Sequence, residues 1–161
     1  MENASDVYVL SATRTAIGKY GGGLAAVPPC DLAATVVREA VSRASVDPDA
    51  VGHVVFGNVI HTEVRDMDLA RVAAVNGGLG VQTPAFTLNR LCGSGLQAIV
   101  SAAQAIRLGD CEVAIAGGPG GAARGGSRVR NADLTLCLRP RHGWYLRWIP
   151  WVKSHEYIRC P

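Results

Sequence analysis

The chain has 161 residues, of which 48% are hydrophobic and 18% are charged. This length allows one ordinary domain with a buried core, and the composition is that of a globular rather than a disordered protein. No apolar run approaches the ~20 residues of a membrane-spanning helix, and no secretory signal follows the acidic start. We therefore expect a cytoplasmic protein without a membrane partner.

The net charge of +3 hides a break in composition near Gly118. Residues 1–118 carry eight Lys and Arg against eleven Asp and Glu, which gives −3. Residues 119–161 carry eight against two, which gives +6, and they contain all three tryptophans. This break predicts a domain over residues 1–118 and a separate basic segment over residues 119–161.

Up to Gly118 the sequence predicts strands that alternate with helices. In chain order these are a strand at 7–12, a helix at 32–44, a strand at 51–60, a helix at 69–76, a strand at 85–88, a helix at 92–108 and a strand at 113–116. The first strand is predicted to be buried on both faces. Asp31, and either Asp66 or Asp68, are candidate N-caps, and Gly109 is a candidate C-cap. The alternation predicts an α/β fold with a mostly parallel sheet and helices on both faces.

Beyond Gly118 the alternation ends. Residues 119–127 are rich in glycine and have no period, which predicts a loop. The aromatic and arginine residues that follow fit neither helical nor strand spacing, so we expect residues 119–161 to be poorly ordered. Arginine with tryptophan can bind phosphates and stack on bases, but no recognisable binding fold contains this segment. We therefore expect no nucleic-acid partner.

The cysteine pattern excludes two common site types. Five cysteines are present, an odd number, and no two form a C-x-x-C pair, which argues against a disulfide framework and a zinc site. We expect reduced thiols and no metal. Four of them have no setting that activates a thiol, and an inert side chain is expected at Cys30, Cys111, Cys137 and Cys160.

Cys92 has a different setting, because it stands where a short strand turns into an apolar helix. The unpaired N–H groups and positive dipole end of a helix stabilise a thiolate. Small residues at 93–95 leave room for an acyl carbonyl, and the Cys92 backbone N–H is a candidate oxyanion donor. The arrangement is typical of a nucleophile in acyl transfer, while an inert buried cysteine is the alternative interpretation.

The segment NRLCGSGLQAIVSAAQAIRLGD at 89–110 resembles the thiolase signature around the acyl-accepting cysteine. The same family is resembled by SATRTAIGK at 11–19, GHVVFGNVI at 52–60, ARVAA at 70–74 and VAIAGG at 113–118. The segment HTEVRDMD at 61–68 resembles the β-ketothiolase branch. The resemblance covers residues 7–118 and implies a thiolase-like amino-terminal domain that is incomplete relative to the family's two-half fold.

The resemblance also implies an activity. Cys92 would attack an acyl-CoA thioester and pass the acyl group to or from a second acyl-CoA, in condensation or thiolysis of a 3-ketoacyl-CoA. Coenzyme A thioesters are then the substrates, no further cofactor is implied, and the intact family implies a homo-oligomer. A ketoacyl synthase relative is the second candidate enzyme, but the motif NRLCGSG favours thiolase.

Two later motifs of that family, a Gly-His-Pro segment and a Cys-x-Gly-Gly-Gly segment, are not found in the sequence. Structural or solvated roles are expected for His53, His61, His142 and His155. Where the family continues GGAESMSR, this chain reads GGPGGAARGG, which we interpret as a reading-frame shift or a divergent tail. We expect this chain alone to be inactive, with an exposed apolar surface. The alternative is a non-catalytic fragment that acts as a dimerisation or interaction module.

Overall fold

The computed structural model describes residues 6–18, 21–119 and 134–140. The strands and α-helices of these residues are, in chain order, β1 (Val7–Arg14), α1 (Pro29–Ala44), β2 (His53–Gly57), α2 (Leu69–Asn76), β3 (Ala85–Leu88), α3 (Ser94–Leu108), β4 (Ala114–Gly118) and β5 (Leu134–Pro140). Short 3₁₀ turns at Pro48–Ala50 and Val64–Asp68 lie in the connections. Within these described ranges, no helix has both the length and the apolar character that a bilayer span requires.

The strands form one sheet in the order β1-β5-β4-β2-β3. Strand β2 pairs in parallel with β3 and β4, whereas β5 pairs antiparallel with both β1 and β4. Strands β1 and β4 therefore run in the same direction, and β5 alone is reversed. Helices α1 and α2 pack against one face and α3 against the other. The predicted α/β fold with helices on both faces is confirmed, and the sheet is mixed, because β5 makes two antiparallel pairings beside the two parallel ones.

Alternation along the central strands divides the core between the two faces. Val54 and Phe56 of β2 pack with α1 and α2, while Val55 packs with Ala98 and Ala102 of α3. All of these side chains are fully buried. Because successive side chains of a strand point to opposite faces, a strand covered on both sides reads as a continuous apolar run. That run made β2 recognisable in the sequence.

Of the candidate N-caps, Asp31 does not cap the first helix, whereas Asp68 is at the predicted position. Helix α1 has Pro28 as its N-cap and Pro29 at its first position, where a fixed φ suits a helix start. Asp31 lies within the first turn and makes no capping bond. Asp68 does occupy the N-cap of α2, also without a side-chain bond. Asp66 is buried before it and accepts hydrogen bonds from the preceding loop.

The prediction that the first strand is buried on both faces is wrong at its start. Tyr8 and Val9 are exposed, whereas Ser11 and Thr13 are buried against α1. The hydroxyl of Ser11 donates to the Ala40 carbonyl at 2.7 Å, and that of Thr13 donates to Val36 at 3.0 Å. Strand β1 lies at the edge of the sheet, so it is covered on only part of its surface.

Strand β5 lies in the segment that the sequence predicts to be poorly ordered, and for residues 134–140 that prediction is wrong. The strand is inserted between β1 and β4, with Cys137 facing the α1 side and Leu138 the α3 side. Both side chains are buried. The rest of the basic segment, residues 120–133 and 141–161, lies outside the described residues, and His142, His155 and Cys160 lie with it.

Helix α3 covers its face of the sheet and presents an apolar surface outward. Residues 94–106 carry no charged side chain. Leu96 and Val100, one turn apart, are both exposed. A helix without charge over three turns is typical of a buried position. We refer to Leu96 and Val100 as the outer α3 face.

Candidate functional site

Cys92 lies at the carboxyl-terminal edge of the parallel strands, in the turn from β3 to α3. The neighbouring strands β2 and β4 end at the same edge, at Gly57 and Gly118. Open α/β sheets bind their ligands at this edge. The Cys92 side chain is exposed there, so a substrate in solution can reach the thiol.

The helix begins later than the sequence predicts. Helix α3 starts at Ser94 with Gly93 as its N-cap, so Cys92 precedes the helix by two residues instead of opening it. The delay has a local cause: Leu91 adopts a positive φ of 50°, which reverses the chain before the first helical residue. Helix α3 ends at Gly109, whose φ of 84° confirms the predicted C-cap.

Ser94 ties the two sides of this turn together. Its side-chain oxygen accepts the Arg90 N–H at 2.8 Å and donates to the Leu91 carbonyl at 2.7 Å. Its backbone N–H donates to the same Leu91 carbonyl at 3.0 Å. The residue is only 4% exposed. We expected this small residue to leave room beside the sulfur, but its hydroxyl turns into the fold.

Two further hydrogen bonds close the turn. The Asn89 side-chain oxygen accepts the Leu91 N–H at 2.9 Å, and the Gly93 N–H donates to the Arg90 carbonyl at 3.1 Å. A left-handed conformation costs an ordinary residue roughly 1–2 kcal/mol. Hydrogen bonds contribute about 0.5–1.5 kcal/mol each, so the bonds to the Leu91 backbone can offset the cost of its left-handed conformation. None of these five bonds uses an atom of Cys92.

Glycines let the helix start sit directly on the strand ends. A Cβ on Gly57 would lie 2.5 Å from the Ser94 carbonyl oxygen, and one on Gly118 would lie 2.7 Å from the Gly57 oxygen. Neither distance is possible for a real side chain. Gly57 thus sets how closely α3 approaches the sheet, and Gly118 how closely the ends of β2 and β4 approach each other, which nothing in the spacing of the glycines reveals.

The other described cysteines differ from Cys92 in exposure. Cys30, Cys111 and Cys137 are buried. Burial raises the pKa of Cys137 to about 11. Burial, together with the hydrogen bond to Asp66, raises the pKa of Cys30 to about 12. These thiols are held in the neutral form, which agrees with the inert role expected for them, and Cys92 is the exposed thiol among the described residues.

The two described histidines have structural contacts. The His53 ring packs edge-on against Phe86, with ring centres 5.4 Å apart. The Nδ1 atom of His61 lies 3.0 Å from the Asp66 carbonyl oxygen. No hydrogen bond within the described ranges joins Cys92 to a histidine, and those ranges contain no cluster of three potential metal ligands.

Comparison with protein families and curated proteins identifies relatives. The family model "Thiolase, N-terminal domain" matches residues 7–120. Beta-ketothiolase BktB of Cupriavidus necator is 60% identical over 138 residues, covering 80% of this chain and 35% of that protein. An acetyl-CoA acetyltransferase of the same organism is 46% identical over 114 residues, covering 71% and 29%. The chain thus spans about a third of the length of these relatives.

Solved structures share the fold. The acetyl-CoA acetyltransferase of Bacillus anthracis superposes with a TM-score of 0.70 at 40% identity, over 73% of this chain and 30% of that one. Human mitochondrial 3-ketoacyl-CoA thiolase in complex with CoA gives a TM-score of 0.70 at 39% identity, over 72% and 29%. The described sheet and helices therefore correspond to part of a larger known architecture.

Proposed function

The chain belongs to the thiolase family, and from this premise we propose that Cys92 is the nucleophile that carries the acyl group between coenzyme A thioesters. The observation that carries the proposal is the position of Cys92. It is the exposed thiol of the described residues, at the turn from β3 to α3 and at the ligand-binding edge of the sheet. The inert alternative, a buried cysteine, does not fit that exposure.

The proposed first step is a thioester exchange. The Cys92 sulfur attacks the acyl carbonyl carbon, a new carbon–sulfur bond forms, and the bond to the CoA sulfur breaks. The proton that leaves Cys92 ends on the departing CoA thiol. The backbone N–H of Cys92 is our candidate donor to the oxyanion of the intermediate. Because one thioester replaces another, the step needs neither an oxidant nor a metal, and we propose no cofactor.

The proposed second step transfers the acyl group to carbon. The α-carbon of a second acyl-CoA loses a proton and attacks the Cys92 thioester, which forms a carbon–carbon bond and releases the thiol. The reverse direction is thiolysis of a 3-ketoacyl-CoA. The relative that is 60% identical is named a beta-ketothiolase, which supports 3-ketoacyl-CoA as the substrate class. We propose that the intact protein works in the cytoplasm as a homo-oligomer.

We further propose that this chain alone forms the acyl-enzyme slowly and does not complete turnover. A nucleophile of this kind needs an acid–base partner within hydrogen-bond reach. The hydrogen bonds of the described residues supply none for Cys92.

If the basic segment results from a frame shift, another reading frame beyond codon 118 will encode the missing family motifs, and resequencing the gene there tests this.

The test of Cys92 is direct. The chain is incubated with acetyl-CoA, and peptide mass spectrometry locates the added acetyl group. We expect slow labelling at Cys92, none at that position in Cys92→Ala, and no cleavage of acetoacetyl-CoA. Labelling at Cys30, Cys111 or Cys137 with Cys92 unlabelled would contradict the assignment, and robust cleavage of acetoacetyl-CoA would contradict the predicted inactivity.

A second candidate function, a dimerisation or interaction module, is favoured by the outer α3 face. Leu96 and Val100 expose apolar surface on the part of α3, residues 94–106, that carries no charged side chain. Co-purification of this chain with a full-length thiolase would support this function. A chain that stays monomeric and does not bind the full-length enzyme argues against it.

A further inference from the structure

We propose that Ser94 and Asn89 are positioning residues that hold the Cys92 thiol in its reactive orientation by fixing the conformation of Leu91. This inference rests on the proposed role of Cys92. It adds two side chains, one buried and one exposed, that act on the nucleophile through the backbone.

The position of Ser94 distinguishes it from an ordinary helix cap. A capping serine stands at the N-cap and accepts a hydrogen bond from an N–H two or three residues further on. Ser94 instead occupies the first helical position, behind the N-cap Gly93, and bonds backwards to Arg90 and Leu91. Its hydroxyl therefore stabilises the turn that contains Cys92 instead of capping an N–H of the helix.

Leu91 is the residue that these bonds restrain. Its φ of 50° lies in the left-handed region, which a leucine seldom adopts. Its side chain is 69% exposed, so packing does not hold the conformation. Both of its polar backbone groups are bonded, the N–H to Asn89 and the carbonyl to Ser94. The conformation is thus held by hydrogen bonds from two side chains, together with the Ser94 backbone N–H that donates to the same carbonyl.

Cys92 follows Leu91 directly, so a change of φ at Leu91 rotates the direction in which the sulfur projects. The other end of the turn is fixed, because Ser94 is packed against Gly57 at the end of β2. Relaxation of Leu91 would therefore move Cys92 relative to an immobile helix start. Misplacing a nucleophile by about 1 Å can reduce a rate by ~100-fold.

The experiment compares the reactivity of Cys92 in the folded and unfolded chain. Iodoacetamide alkylation of the full chain is followed at Cys92 by peptide mass spectrometry, in buffer and in urea. The alkylation ratio is the rate in buffer, where the chain is folded, divided by the rate in urea, where it is unfolded. Ser94→Ala removes the hydroxyl that bonds Arg90 and Leu91, and Asn89→Ala removes the acceptor for the Leu91 N–H. We expect each to lower the ratio about tenfold or more. Asn89→Ser, which keeps a neutral side-chain acceptor, should restore most of it.

Ser101→Ala is the matched control. It removes a serine hydroxyl from the same helix, where Ser101 accepts a bond from Gln97, and we expect an unchanged ratio. If Ser94→Ala fails to fold, Asn89→Ala decides, because Asn89 is exposed. An unchanged or increased alkylation ratio in variants whose urea midpoint of unfolding is lowered would overturn the proposal. Ser94 and Asn89 would then have a structural role only.

The outcome also separates this inference from the proposed function. If wild-type Cys92 is not acetylated by acetyl-CoA while the alkylation ratio falls in both alanine variants, the positioning role stands and the acyl-transfer role fails. If Cys92 is acetylated at the same rate in wild type, Ser94→Ala and Asn89→Ala, the acyl-transfer role stands and the positioning role fails.

Discussion

Gly57 sets how closely the start of α3 can approach the end of β2. The carbonyl group of Ser94 occupies the space where a side chain on Gly57 would begin. Gly95, one residue along, has open space at its Cβ position and an ordinary φ. Both glycines lie beside Ser94, one across the fold and one next in the chain, yet of the two only Gly57 is required by sterics.

Replacing Gly57 and Gly95 in turn therefore distinguishes a glycine that allows a close contact from one that does not. We expect Gly57→Ala to lower the free energy of unfolding by about 1–3 kcal/mol, since the helix must move away from the strand. Gly95→Ala should raise it by up to about 1 kcal/mol, because alanine favours a helix more than glycine does. Urea unfolding measures both. Equal effects of the two variants would show that the contact at Gly57 is not close.

Cys30 and Asp66 form a buried pair that makes stability depend on pH. The Cys30 sulfur donates to an Asp66 oxygen at 3.3 Å, while the second oxygen accepts from Thr62 and Glu63. Burial acts to raise the pKa of Asp66, but the hydrogen bonds outweigh it and hold this pKa below 3.8. The stability that Asp66 contributes is therefore present above pH 3.8 and is lost as pH falls through its lower folded value.

The alkaline side gives the sharper prediction. Because the pKa of Cys30 is raised from 9.0 to about 12, the folded chain keeps a proton that the unfolded chain loses above pH 9.0. The stability that Cys30 contributes is thus fully present below pH 9.0 and falls as the pH rises towards 12. In Cys30→Ser, which keeps a donor to Asp66 but does not ionise, the loss should be shallower by about 1.4 kcal/mol per pH unit. Urea unfolding at pH values on either side of 9.0 tests this, and equal slopes for both chains would contradict it.

Strand β5 decides how the elements join, because it is the partner of both β1 and β4. Leu138 is 2% exposed and packs on the α3 side, while its neighbour Arg139 is exposed. The two residues therefore provide a test and a control within one strand.

Leu138→Ala should lower the free energy of unfolding by about 2–5 kcal/mol, because it leaves a cavity between sheet and helix. Arg139→Ala should change it by no more than about 0.5 kcal/mol. Chemical denaturation monitored by circular dichroism measures both. If Leu138→Ala is as mild as Arg139→Ala, residues 134–140 do not form a strand of this sheet.

The elements also show what sequence can reveal. Strand β3 and the end of α3 were predicted at their observed positions, because a proline entry and a glycine cap are local signals. Strand β5 was missed although Leu134, Leu136 and Leu138 alternate, since glycine and arginine dominate its surroundings. The motif singles out Cys92 as the candidate nucleophile, but the hydrogen bonds of Ser94 and Asn89 could not be predicted, because they accompany a positive φ at Leu91 that no residue type indicates.

At the scale of the molecule, the outer α3 face is the surface through which we expect the chain to self-associate. Adding charge there with Leu96→Lys and Val100→Lys should reduce self-association and change stability little, because both side chains are exposed. Light scattering and gel filtration measure association. The matched control places two lysines at Val64 and Val81, which are exposed elsewhere. If the control reduces association as much, net charge and not the α3 face is responsible.

The position of β1 has a consequence for synthesis on the ribosome. Val7 pairs with Pro140, 133 residues later in the chain, and β1 has β5 as its partner in the described sheet. At roughly 5–20 residues per second, the first strand emerges and then waits between about 7 and 27 s for the strand that completes it. During that time β2, β3 and β4 can already assemble with their helices. The amino-terminal strand is thus among the first to be made and among the last to be folded.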